Sequence, residues 1–195
     1  MDTKRLEAFS DAVIAIIMTL MVLELKAPHG FDWSALQPLV STFLAYVMSY
    51  TYLGIYWNNH HHMLHATDHI DGRVMLANML LLFWLSLIPF TTAWMAESGF
   101  MMVPTATYGA VLLLAAISYA ILFRTIIAHC DANQDLRDAI GRDKKGNISI
   151  MLYVLALAVT FFDQRIAVSI YILIALLWFI PDRRIEGKLG HRHAA

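Results

Sequence analysis

The feature that most limits the fold is a succession of long apolar runs, at about 8–25, 36–57, 74–95, 104–127 and 148–180. A helix needs about 20 apolar residues to cross a hydrocarbon core of about 30 Å, and each of the first four runs meets that length. The fifth is too long for one crossing, and Asp163-Gln164-Arg165 interrupts it, so it reads as a tight hairpin of two shorter helices, 148–162 and 165–181. The expectation is an all-α membrane protein with six transmembrane helices. Composition agrees: 59% of 195 residues are hydrophobic, roughly 115 side chains, enough to fill five or six spans and leave little over for a soluble domain. Only 15% are charged, against about 25% in soluble domains. We read 1–195 as a single six-helix domain.

An even number of spans puts both termini on one side, and the basic residues choose which. Of the 14 Lys and Arg, only Lys26 and Arg165 fall on the far side of this threading. Basic residues accumulate on the cytoplasmic side, so both termini are expected there, and the basic tail around Arg183-Arg184 fits contact with anionic lipid. Lys4-Arg5 ahead of an apolar run does not make a signal peptide, because Asp2, Glu7, Asp11 and Glu24 interrupt the pattern and no small-residue cleavage site follows. Asn147-Ile148-Ser149 matches a glycosylation acceptor but lies on the cytoplasmic side in this threading. A single cysteine, Cys130, excludes an internal disulfide framework and a multi-cysteine metal cluster. No nucleophile with its base, phosphate-cradling loop or nucleic-acid surface is present. Pro89 is expected to kink the third span.

Ionisable residues are nearly absent from spans two to six, whereas the first carries Ser10 and Asp11 near its cytoplasmic end and Glu24 near the other. An ionisable group at membrane depth costs at least about 2.5 kcal/mol, so this helix is not simply lipid-facing. At 100° per residue, Ala12, Ile16, Thr19, Leu20 and Leu23 share one stripe, with Asp11 near the opposite side. Such a helix can line a hydrophobic constriction while its polar back packs on neighbours, although ordinary lipid- or bundle-facing surface has the same periodicity.

The segment Arg5-x-x-x-Phe9-Ser10-Asp11-Ala12-Val13-x-Ala15-Ile16-x-x-Thr19-Leu20-x-x-Leu23-Glu24 resembles the first-helix signature of the transmembrane protein 175 family, the endolysosomal leak potassium channels and their shorter prokaryotic relatives. Tyr56-Trp57-Asn58-Asn59-His60-His61 and the closing Ile180-Pro181-Asp182 agree with it. The resemblance implies a potassium-selective, leak-type cation channel without cofactor or enzymatic activity. Its single-repeat prokaryotic members are homotetramers in the plasma (inner) membrane, with a pore lined by first helices. By motif position, Ile16 is the constricting residue, Leu20 and Leu23 are further apolar rings, and Thr19 matches a hydroxyl ring. Arg5, Phe9, Ser10 and Asp11, with Trp57, His60 and His61, match the network that holds the first helix against its neighbours. The T-V-G-Y-G loop of ordinary potassium channels is absent, and Thr107-Tyr108-Gly109 is only a partial echo of it.

Two other readings stand beside the channel. An ion- or proton-coupled secondary transporter would use Asp11 and Glu24. A histidine-metal membrane oxidoreductase would use the cluster His60, His61, His62, His65 and His69, in which 61, 65 and 69 share one face if the second helix continues that far. A pH-sensing role is open to the same cluster. A di-iron oxygenase needs further histidine clusters, which His29, His129, His191 and His193 do not form, so no metal is assigned. His60 or His61 is expected to bond to the Ser10/Asp11 end of the first helix.

Overall fold

A computed structural model describes residues 3–64, 70–129 and 144–179. All regular structure among these residues is helical. The order is α1 (Thr3–Leu23), a 3-10 helix (Trp33–Leu39), α2 (Val40–Leu64), α3 (Gly72–Ser86), α4 (Ile88–Glu97), α5 (Met102–His129), α6 (Lys144–Thr160) and α7 (Gln164–Phe179). Four stretches, Thr3–Leu23, Trp33–Leu64, Gly72–Glu97 and Met102–Ala128, are long and apolar enough to cross a membrane. The chain is an integral membrane protein. Helices α6 and α7 are apolar but shorter. At 1.5 Å per residue, each covers roughly 25 Å, somewhat less than a hydrocarbon core.

The helix boundaries differ from the sequence expectation in three places, each with a local cause. The third run is broken at Leu87, so α3 and α4 are separate helices. Pro89 has no N–H to give to Leu85 and its ring crowds that carbonyl, which ends α3 at Ser86, three residues ahead of the proline. The hairpin turns at Phe161–Asp163, ahead of the expected centre. The Asp163 carboxylate accepts the backbone N–H of Arg165 at 2.8 Å, so Gln164 and Arg165 already belong to the first turn of α7. Helix α2 continues to Leu64, past the expected end at 57, and takes His60, His61 and His62 into the helix. His65 and His69 lie outside the described residues.

Helix α5 is the hub, packing on α3, α4, α6 and α7, while α1 sits at the edge against α2, α3 and α4. The core contains Leu81, Leu85, Leu112 and Ala115, all at 0% exposure. Hydrophobic burial does not drive helix association inside lipid, so close packing and interhelical hydrogen bonds carry more of the load. Ser49 of α2 hydrogen-bonds the Tyr108 hydroxyl of α5 at 2.9 Å and receives Thr92 of α4 at 2.8 Å. The Tyr52 hydroxyl of α2 donates to the backbone carbonyl of Tyr171 on α7.

The α5–α7 crossing depends on a glycine. A Cβ at Gly109 would stand 1.9 Å from the Tyr171 hydroxyl oxygen and 2.7 Å from its Cζ. The fully buried Tyr171 ring occupies that space and meets Tyr108 edge-on at 5.8 Å between centroids. Gly109→Ala is therefore expected to destabilise the protein by about 1–3 kcal/mol, the usual cost of overpacking. The loss should be smaller in a Tyr171→Phe background, which removes the nearest clashing atom. Thermal unfolding in detergent of the two single variants and the double variant measures both effects.

Candidate functional site on the first helix

Helix α1 has two unlike faces. Leu6, Ser10, Ile14, Ile17 and Met21 are buried against the bundle. On the other side of the helix, Ile16, Leu20 and Leu23 are 57%, 47% and 72% exposed, and Ala12 and Thr19 are exposed beside them. The Thr19 hydroxyl donates to the carbonyl of Ile16 at 2.8 Å, so its oxygen stays on that face with its proton already engaged. The bulky apolar stripe inferred from helical angle thus points away from its own chain.

The polar groups on the buried side form a short chain of hydrogen bonds across three helices. Ser10 of α1 donates to the Leu6 carbonyl at 2.9 Å and accepts from Asn78 Nδ2 of α3 at 2.9 Å. Asn78 Oδ1 lies 2.7 Å from Nε2 of His60 on α2. An amide oxygen only accepts, so His60 Nε2 is the donor, and every bond in the chain runs from α2 through α3 to α1. Ser10, Asn78 and His60 are all 0% exposed. With Nε2 protonated, the other ring nitrogen of neutral His60 is the unprotonated one, and it is buried with no hydrogen-bond partner among the described residues.

Two more accessible contacts flank this chain. Trp57 Nε1 donates to the Asp11 carboxylate at 3.1 Å, and His61 Nδ1 lies 2.7 Å from Glu7 Oε1. The α1 end of the bundle is therefore stitched to α2 at three levels, through Glu7, Ser10 and Asp11. The expected link from the second helix to the Ser10/Asp11 end is present in a different form: His60 reaches Ser10 through Asn78, and His61 pairs with Glu7.

The expected motif network is divided by the structure. Ser10, Asp11, Trp57, His60 and His61 lie in it, whereas Arg5 and the 46%-exposed Phe9 stand on the outward face. The reason is angular: residues 5, 9, 12, 16 and 23 repeat at helical spacing on one side, so Arg5 and Phe9 extend the apolar stripe toward the N-terminus. Glu7 and Asn78 join the network without having been assigned to it. A lone Asn inside an apolar span was a legible sign of interhelical bonding, but nothing in the sequence named its partners.

The same geometry bears on the other readings. Asp11 lies within α1 and Glu24 just past its C-terminal end, 13 residues on and about 20 Å away, so they do not converge on one ion. No three His, Cys, Asp or Glu side chains among the described residues are grouped to hold a metal.

Replacing one partner of a buried polar chain leaves the rest unsatisfied, at about 1–3 kcal/mol per orphaned group. Asn78→Leu is expected to destabilise α1 docking by that amount or more, because it orphans the His60 Nε2–H and removes the donor that Ser10 accepts from. Ser10→Ala and Asn78→Leu should be less than additive by at least about 0.5 kcal/mol, since they break one chain of bonds. Trp57→Phe, which removes a more exposed contact, should cost less than Asn78→Leu. Denaturant titration of the detergent-solubilised variants reads all three.

Comparison with known proteins places this arrangement in a family. The model of the family described as endosomal/lysosomal potassium channel TMEM175 matches residues 5–89, which include the motif and every residue of the hydrogen-bond network. A protein named as a potassium channel in Chryseobacterium sp. (strain P1-3) is 51% identical over 97% of this chain and 98% of its own length. A crystal structure described as a lysosomal potassium-selective channel TMEM175 homolog from Chamaesiphon minutus superposes with a TM-score of 0.75 at 29% identity, covering 91% of this chain and 96% of that one. The endosomal/lysosomal proton channel TMEM175 of Mus musculus is 27% identical over 46% of this chain, which spans only 19% of the mouse protein. With near-complete coverage at 51% identity, the chain belongs to the TMEM175 family.

Proposed function

We propose that this protein is a potassium-selective, leak-type cation channel, assembled as a homotetramer whose α1 helices line the pore. The names of its bacterial relatives support a potassium-conducting cation channel. The observation that carries the pore assignment is the outward apolar stripe of α1, turned away from a chain to which Ser10 is hydrogen-bonded behind it. In a symmetric assembly, that stripe faces the axis. Ile16 then forms the constriction, Leu20 and Leu23 form further apolar rings, and Thr19 supplies a ring of hydroxyl oxygens. A ring of Ile side chains opposes ion passage by expelling water, so the size and wetting of this gap govern conduction.

The remaining parts follow from the same reading. All six apolar helical segments cross the membrane, with α3 and α4 sharing one crossing and α6 and α7 forming the final hairpin. The domain is the whole of 1–195, in the inner membrane of a prokaryote, with both termini cytoplasmic by the bias of basic residues. The salt bridge Lys26–Glu97 at 3.1 Å ties the α1–α2 connection to the end of α4 on the opposite side. Potassium ions are the permeant species, and no cofactor or metal takes part. Arg5 on the outward face lies at the cytoplasmic mouth.

Ion flux into liposomes containing the purified protein tests the assignment. Ile16→Asn replaces a water-repelling ring by one that hydrogen-bonds water, and is expected to raise flux severalfold and to weaken discrimination between potassium and sodium. Ile14→Val, on the bundle face, should leave both unchanged. Wild-type flux and selectivity in Ile16→Asn would contradict the pore assignment.

A further inference from the structure

Away from α1, an open apolar groove of about 690 Å³ runs between α2 and α7. Its floor and walls include Leu44, Val47, Val168, Ile172 and Leu176, and its upper end is closed by Gln164, Arg165 and the α4–α5 turn at Gly99-Phe100. That turn is tight: Phe100 N–H reaches the Met95 carbonyl at 2.9 Å, with Gly99 and Phe100 both at positive φ. The groove therefore has a polar, basic head and an apolar body.

Three observations select its occupant. The first is charge. Lys26 is paired with Glu97 at this end of the bundle, whereas Arg165 has no ion-pair partner among the described residues. It also sits in the first turn of α7, whose end is capped by the Asp163 carboxylate, so the positive charge at the groove rests on the Arg165 guanidinium alone. The second is length. From Arg165 to Leu176 is 11 residues, about 16 Å of helix, close to one leaflet of a hydrocarbon core about 30 Å thick. The third is position. None of the residues that line the groove belongs to α1, so it is separate from the outward stripe of that helix. An anionic head and a leaflet-long apolar tail are the complement of these features.

We infer that this groove binds one anionic glycerophospholipid per chain, with the lipid phosphate at Arg165 and one acyl chain lying along α7 toward Leu176. The site is independent of the ion path, and lipid occupancy is read without reference to ion flux.

Native mass spectrometry of the detergent-solubilised protein, titrated with phosphatidylglycerol or phosphatidylcholine, tests the inference because it counts lipids and chains together. The wild type should retain one phosphatidylglycerol per chain in preference to phosphatidylcholine. Arg165→Gln should weaken retention about tenfold, the loss of one charge-assisted contact. Val168→Trp, which fills the groove from its side, should abolish retention of both lipids without changing the number of chains. Circular dichroism and unfolding temperature confirm that both variants are folded. No retained lipid in the wild type, or equal retention of the two lipids, would overturn the inference. So would unchanged phosphatidylglycerol binding in folded Arg165→Gln. Binding of free glycerol phosphate with the same Arg165 dependence would assign the site to a soluble anion. A changed chain count in Val168→Trp with lipid retention intact would assign the groove to a second copy of the chain. Either result would also overturn the inference.

Discussion

The buried chain of hydrogen bonds from His60 through Asn78 to Ser10 sets the rotation of the first helix, and the functional reading depends on that rotation. Residues on a helix advance by 100°, so turning α1 by a single position would carry Ser10 out of reach of Asn78 and swing Ile16 toward the bundle. In lipid, neighbouring apolar faces do not by themselves choose between such rotations, because the bilayer solvates each of them about equally well. A fully buried hydroxyl, amide and imidazole do choose, since any other setting leaves polar groups unsatisfied in a low-dielectric interior. The flanking pairs, Trp57 with Asp11 and His61 with Glu7, act in the same sense from more accessible positions.

The two faces of α1 are therefore one design. The back is polar and anchored, and the front is apolar and left open to whatever lies outside the chain. A lipid-facing helix has no need of such an anchor, whereas a helix bordering an ion path must hold its narrowest ring in register. The small-residue crossing at Gly109 and Tyr171 has a corresponding role at the other side of the molecule, where it seats α7 on α5. Together these contacts make α2–α7 a scaffold against which α1 is positioned.

Much of this was legible in the sequence, for identifiable reasons. The apolar runs mark the helices because length and lack of charge are properties of a segment alone. The stripe through Ile16 and Leu23 was legible because helical periodicity is local. The break at Leu87 was foreshadowed by Pro89. By contrast, the end of α2 was set too early, since the histidine-rich stretch 60–62 reads as polar although its first member is fully buried. The motif residues were also grouped by their match to the family signature, which merged Arg5 and Phe9 with Ser10 and Asp11. Helical angle separates them, and the exposures follow the angle. The central place of Asn78 could not be read, because it comes from α3 packing between residues of two other helices.

The central claim is that the stripe Ala12, Ile16, Thr19, Leu20 and Leu23 borders the ion path and the opposite face does not. Its most direct test is a scan of single cysteines along α1, in a background where Cys130 is replaced by Ser, with a small charged thiol reagent applied during flux into liposomes. Modification should block flux at Ile16 and at the other stripe positions, and leave it unchanged at Ile14, Ile17 and Met21. Block at the bundle face with none at Ile16, or equal sensitivity around the whole helix, would contradict the account.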